Sequence, residues 1–438
     1  MIYWGFIAFF LLEYVRPAEF IPIPPHLNSL VPIAVAVAAI LSKKGASNGD
    51  VSGERNTQLM MWFLALIVLS VLVSDVTTYA YTIFTVVVGY ALIYWAIAKQ
   101  VTTLGELKGL FRILVLVHVI VASLNTQIFT SGQREYLKGP PFMGDGNDFA
   151  LSVNIALPMA LFLFFDAKRI IAKIFYAAVM VVFVFSIVAT QSRGGTIALM
   201  CVAAYYWSKS QNKIATLTIA VVLAVAALSF APPGYFERMN DMTNTEEGSA
   251  AGRLAAWRAA TEMAVKSPIV GIGAGHFGVM YGAIYKRPTQ NAHSIYFLVL
   301  GELGFPGLTI LLWFIIGNLV QNRRAAQGIQ KAGGPTARTH AGMLGAMSAA
   351  IIAYATGGAF LSAIYYPHMY ILAALAVGAR RIVRQRAAEE VTAPPKPAIT
   401  YHWALQPILG GSGQSLRAQR RPGGTTPLHP RRDTPRLR

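Results

Sequence analysis

The sequence predicts an all-α polytopic membrane protein, with about twelve transmembrane helices and one large loop containing short helices between the ninth and tenth. Three observations carry this. Of the 438 residues, 55% are hydrophobic and only 13% are charged, against roughly 25% charged in soluble domains. Apolar runs approach, again and again, the ~20 residues that span a bilayer. Those runs are continuous rather than alternating, so their backbones are satisfied by helices and not by a barrel.

The candidate spans fall at about 1–15, 26–42, 58–74, 78–98, 108–130, 147–165, 170–190, 194–208, 213–231, 291–320, 341–363 and 366–380. The first two are short and interrupted by Pro, Glu or Arg. Losing both leaves the sidedness of every later loop unchanged. The first run has no basic residue ahead of it and no clear cleavage site, which argues against a removed signal peptide. Four regions follow: spans one to nine over 1–231, a polar loop over 232–290, spans ten to twelve over 291–380, and a tail over 381–438. The tail is rich in Pro, Gly and Arg and reads as disordered. Its cations suit a solvated cytoplasmic tail near anionic lipid better than a nucleic-acid site, so no nucleic-acid partner is expected.

Basic residues set the orientation. Connections holding Lys43, Lys44, Arg55, Lys99, Lys108, Arg112, Lys168, Arg169, Lys173, Lys209, Lys213, Arg323, Arg324, Lys331 and Arg338, together with the twelve cations from Arg380 onward, carry 27 of the 37 Lys and Arg residues. Both termini are therefore expected in the cytoplasm, with the 232–290 loop on the far side. Arg193, Arg238, Arg253, Arg258, Lys266, Lys286 and Arg287 break the rule. All but Arg193 lie in a loop long enough to tolerate cations. Arg193 sits in the tiny turn Gln191–Gly195.

The lone Cys201 excludes an internal disulfide and a thiolate metal cluster. Asp145 and Asp148, without a His nearby, are weak evidence for a metal, and no metal or other cofactor is expected. Arg193 followed by two glycines suits an anionic group approaching the backbone; the plainer reading is a cation snorkelling to headgroups. Residues Ala250 to Lys266 read as a helix that Ser249 can cap and that Ser267-Pro268 ends. Its apolar face is expected at Leu254, Trp257, Thr261 and Ala264, with a Glu262–Lys266 pair. Arg253 in its first turn adds a cation to the positive helix end; Arg258 is as well explained by surface ion pairing. The alternation of Gly271, Gly273 and Gly275 either offers amides to a phosphate or simply turns the chain back to the membrane. Asn291-Ala292-His293-Ser294 opens an apolar helix. A His in the first turn favours neutral imidazole, suiting a general base as well as a polar cap. Glu302, deeper in the same helix, suits a structural role. Asn147 and Asp148 are expected to cap the sixth span.

These motifs together resemble the O-antigen ligase and polymerase family of membrane glycosyltransferases. The resemblance rests on Ser192–Gly195, Gly252–Trp257, Pro268–Gly275, Asn291–Tyr296 and Gly301–Gly307, with Glu13–Pro17 also similar, and is best over roughly 185–310. It implies a bacterial inner-membrane protein that moves a glycan from undecaprenyl pyrophosphate to an acceptor hydroxyl, on a lipid A–core sugar in ligases, at the periplasmic face. It assigns catalysis to His293, Arg193 and Arg253. Arg258, Lys286, Arg287, Gly273, Gly275 and Asn291 stand beside them as candidate substrate contacts. Expected partners are the lipid-linked glycan, the surface acceptor and membrane lipids. Polymerisation of repeat units, or glycan transfer onto a protein, remains open within the resemblance. A polar-lipid transporter is a further alternative; the absence of an internal repeat and the one-sided polar chemistry speak against it.

Overall fold

The computed structural model describes residues 2–20, 27–42, 51–73, 77–130, 137–138, 141–229, 231, 235–236, 250–285 and 289–392. Among them there is no strand, and every predicted span contains a helix. In chain order these are α1 (Ile2–Phe10), α2 (Leu27–Leu41), α3 (Arg55–Val73), α4 (Thr77–Gln100), α5 (Leu104–Leu124), the short α6 (Gln127–Thr130), α7 (Gly146–Asp166), α8 (Ile170–Ala189), α9 (Arg193–Lys209), α10 (Lys213–Ser229), α11 (Ala250–Lys266), α12 (Phe277–Tyr285), α13 (Ile295–Ala332), α14 (Ala337–Gly358) and α15 (Pro367–Thr392). Seven of them, α3, α4, α5, α7, α8, α13 and α14, are long and apolar enough to cross a membrane. The protein is thus a multi-pass all-α membrane protein.

The helices sort by how much of their surface they bury. α7 is buried over most of its length, whereas α8 turns Ile170, Ile171, Ile174, Phe175, Val181 and Val182 outward. An apolar outward face on a long helix is what lipid requires, so α7 lies at the centre and α8 at the rim. α1 is anchored by Phe6, Phe9 and Phe10 and continues as a π-helical turn over Leu11–Val15, closed by Arg16 at φ 49°.

Polar contacts gather at the two ends of the bundle. At one end Lys108 pairs with Asp166 and Arg384 with Glu54. Arg380, 2% exposed, donates to Asn318 (2.7 Å) and Asn322 (3.0 Å). Asn318 also accepts from Asn56 at 3.0 Å. These side chains lie at the end of the bundle for which the charge count leads one to expect the cytoplasm. At the other end meet the start of α7, the α8–α9 turn, the start of α13 and the α14–α15 connection.

Two expectations about extent change. α13 is 38 residues long and is broken by Gly304 (φ 66°, ψ −165°), two residues before Pro306. The expected single span over 291–320 is thus a short segment, 295–303, followed by a long one. α15 runs on to Thr392, held at its end by Arg386 pairing with Glu389 and Glu390. The helix-to-tail boundary therefore falls later than 380. The rest of the tail expected to be disordered lies outside the described residues.

Candidate active site

Helix α11 has the bounds expected of it, while Ser249, its expected cap, lies outside the described residues. Its buried face is corrected. Ala256, Ala259, Ala260, Met263 and Ala264 are buried, whereas Leu254 is 46% exposed and Thr261 is also exposed. Small residues let the two backbones approach closely: a Cβ added at Gly301 of α13 would lie 3.3 Å from the Ala260 Cα. Glu262 does not pair with Lys266 but accepts the Tyr285 hydroxyl of α12 at 2.5 Å. Burial first, and then that hydrogen bond, push the Tyr285 phenol up to about 12.

The glycine alternation forms the turn between α11 and α12, the second of its two expected readings. Gly271, Gly273 and Gly275 all have positive φ (62°, 99° and 75°), as their residue type allows. The amides along this turn are bonded within the protein. The Gly271 N–H donates to Ser267, the Ile272 N–H to the Gly301 carbonyl and the Gly273 N–H to the Glu302 carbonyl, all at 2.9–3.0 Å. The Ala274 N–H donates to Ser70 Oγ at 2.6 Å, and the Gly275 amide bonds the Glu302 carboxylate. Gly273 and Gly275 therefore dock the turn onto the break in α13. The Phe305 N–H completes the seam, donating to the Pro268 carbonyl at 2.9 Å.

Glu302 is the centre of that seam, 2% exposed. One carboxylate oxygen accepts the first amide of α12, from Phe277, at 2.9 Å. The other accepts the Tyr365 hydroxyl at 2.7 Å. The structural role expected of Glu302 is what it performs: it joins α12, α13 and the α14–α15 connection.

His293 stands just above. It is not in the first helical turn as expected. Ser294 is the N-cap of α13, and His293 precedes it with φ 49°, a left-handed backbone uncommon for a residue with a side chain. Its N–H donates to Ser362 Oγ at 3.0 Å. On the other flank the Trp257 indole N–H donates to the Ala292 carbonyl at 2.9 Å. The Trp257 ring lies parallel to Phe297, 4.8 Å between centroids. Arg253 is one helical turn before Trp257 on α11 and is half-buried.

Arg193 opens α9, with Ser192 as its N-cap; Ser192 Oγ accepts the Gly195 N–H at 3.0 Å. The two glycines that follow make room for neighbours. A Cβ at Gly194 would lie 3.0 Å from the Phe360 Cβ, and one at Gly195 would lie 2.6 Å from that of Ala150. Phe360 and Ser362 belong to the same connection. The 359–366 segment therefore adjoins both the Arg193 turn and His293, and Trp257 ties the Arg253 helix to the residue before His293. Sequence reasoning missed this connection. Its polar residues, Ser362 and Tyr365, find partners more than sixty positions away, and nothing in a short local pattern signals that.

The remaining candidates are peripheral. Arg258 is exposed and lines an open groove of about 500 Å³ together with Leu254, Trp257, Glu262, Lys266 and Phe297. Asn291 is exposed at the approach to His293. Lys286 and Arg287 lie outside the described residues. Asp145, not Asn147 or Asp148, caps α7, accepting the Asn147 N–H at 2.9 Å.

The helices and the polar seam at one end define a multi-pass membrane protein whose candidate chemistry sits at the ends of its helices. Residues 177–312, from within α8 to the middle of α13, match the model of the family described as O-antigen ligase, which bears out the resemblance carried by the motifs. The match includes Arg193, Arg253 and His293 and supports a bacterial membrane glycosyltransferase of O-antigen ligase or polymerase type. A comparison with curated proteins gives no match.

Proposed function

We propose that the protein transfers a glycan from undecaprenyl pyrophosphate to an acceptor hydroxyl, a sugar of lipid A–core in the ligase reading, on the periplasmic side of the inner membrane. The observation that carries this is the convergence on His293 of the two segments that bear Arg193 and Arg253, through Phe360–Ser362 and through Trp257.

The chemistry follows from what each bond needs. The bond between the anomeric carbon and the pyrophosphate oxygen breaks, and negative charge grows on a group that already leaves well. Guanidinium groups stabilise that charge without delivering a proton, the role given to Arg193 and Arg253. The acceptor hydroxyl is a weak nucleophile. His293 removes its proton as the new carbon–oxygen bond forms from the opposite face, inverting the anomeric centre. The imidazole then releases that proton to solvent. A half-buried His at a helix mouth can meet both a membrane-borne donor and an acceptor arriving from the water side. Arg258 and Asn291, on the exposed approaches, are assigned contacts with the glycan. The tail is assigned to the cytoplasm with both termini.

Reconstitution in liposomes with an undecaprenyl-pyrophosphate oligosaccharide and rough lipopolysaccharide, with chelator present, tests the reading. Glycan joined to lipid A–core is the expected product. Longer chains still on the carrier would instead show a polymerase, and no transfer to any hydroxyl acceptor would overturn the proposal.

A further inference from the structure

We infer that Ser362 and Trp257 are positioning residues that fix His293 by holding its backbone from opposite flanks; the inference rests on the proposed transfer reaction. A left-handed residue with a side chain is disfavoured relative to the right-handed alternative, so it persists only where its surroundings hold it. His293 has that conformation at φ 49°. The surroundings are two side chains from separate parts of the chain. Ser362, in the α14–α15 connection, accepts the His293 N–H at 3.0 Å. Trp257, on α11, donates to the Ala292 carbonyl at 2.9 Å. Neither of these bonds involves the imidazole. They set the direction in which the His293 side chain leaves the chain.

The surrounding contacts make both anchors stiff. The Trp257 ring is stacked on Phe297, in the first turn of α13, so the indole N–H is aimed by packing rather than by chance rotation. The connection bearing Ser362 is tied down three residues later by Tyr365 on Glu302. Gly358, at the end of α14, faces Ile295 closely enough that an added Cβ would lie 2.7 Å from the Ile295 side chain. The segment from Ala292 to Ile295 is thus clamped between α11 on one side and the α14–α15 connection on the other. Because α11 belongs to the polar loop and the connection to the membrane bundle, the clamp makes the placement of the base depend on the loop being docked.

The test uses the full-length protein in liposomes with an undecaprenyl-pyrophosphate oligosaccharide and rough lipopolysaccharide. Trp257→Phe keeps the ring on Phe297 and removes only the donor. Ser362→Ala removes the acceptor, and Ser362→Thr restores a hydroxyl. A misplacement of the order of 1 Å costs up to ~100-fold in rate. Ser362→Ala and Trp257→Phe should each lower kcat roughly 10- to 100-fold with KM for donor and acceptor unchanged. Ser362→Thr should recover most of the loss. The double variant should lose less than the product of the single losses, because both anchors act on one dipeptide. Wild-type kcat in Trp257→Phe and Ser362→Ala would overturn the inference, as would a loss in KM alone. Should Ser362→Ala fail to insert, Trp257→Phe carries the same test. A His293→Ala protein is assayed alongside. If it retains full transfer, the reaction itself is misassigned; if it is inactive while both anchor variants are normal, only the positioning roles fall.

Discussion

In Gly304→Ala a methyl group enters the break in α13. The backbone there, at φ 66° and ψ −165°, lies in a region open essentially to glycine alone. Holding an alanine in it costs about 1–3 kcal/mol. The new Cβ would also lie 2.4 Å from the Pro268 carbonyl oxygen and 2.9 Å from its carbon. Both are backbone atoms, so relief requires the 268–275 turn to move away. That movement breaks the bond from the Phe305 N–H to Pro268, worth about 0.5–1.5 kcal/mol. The expected loss is therefore about 2–4 kcal/mol. Gly328 gives the control. It is an exposed helical glycine with nothing within 4 Å of an added Cβ. Gly328→Ala should stabilise by about 0.5–1 kcal/mol. Denaturant unfolding of the detergent-solubilised protein, followed by near-UV circular dichroism, reads both. Gly304→Ala should also slow glycan transfer, because the short segment before the break bears His293 at its mouth. A Gly304→Ala protein as stable and as active as wild type would refute the view that the break and the glycine turn form one docked seam.

Other expectations concern the seam, the opposite end of the bundle and the charge at the site. Glu302→Ala removes the acceptor for both Phe277 and Tyr365 and should destabilise by about 2–4 kcal/mol in the same unfolding assay; Glu302→Gln, which keeps one oxygen and lets the Tyr365 hydroxyl accept from the new amide, should cost about 1 kcal/mol. Asn318→Leu strips a buried Arg380 of its 2.7 Å acceptor and should cost about 2–4 kcal/mol, with no change in KM for the glycan donor. Arg193→Ala should reduce kcat for transfer about 100- to 1,000-fold, and Arg193→Lys should recover part of it, because the ammonium keeps the charge and loses the fork.

Much of this was legible in the sequence, and the parts that were not share a cause. Continuous apolar runs put a helix in each of the twelve expected intervals, and Ser267-Pro268 ended α11 where the chain does end it. The family motifs alone point to Arg193, Arg253 and His293. What escaped was long-range. Leu254 and Thr261 suggested the inner face of α11, yet the close approach of α13 at Gly301 favours the alanine stripe, which a hydrophobicity argument undervalues. The amides of Gly273 and Gly275 looked free because their acceptor, Glu302, sits some thirty residues on. Gly304 and Pro306 carried a local signal for a break, but the apolar residues on both sides read as one span. Ser362 and Tyr365 carried none, since a serine and a tyrosine between two helices match any loop.

The central claim is that His293 removes the acceptor proton while Arg193 and Arg253 stabilise the departing pyrophosphate. Single-turnover transfer from an undecaprenyl-pyrophosphate oligosaccharide to rough lipopolysaccharide, comparing wild type with His293→Ala, tests it most directly. His293→Ala should insert normally and still bind the donor, with glycan transfer abolished. Transfer at the wild-type rate by His293→Ala would contradict it.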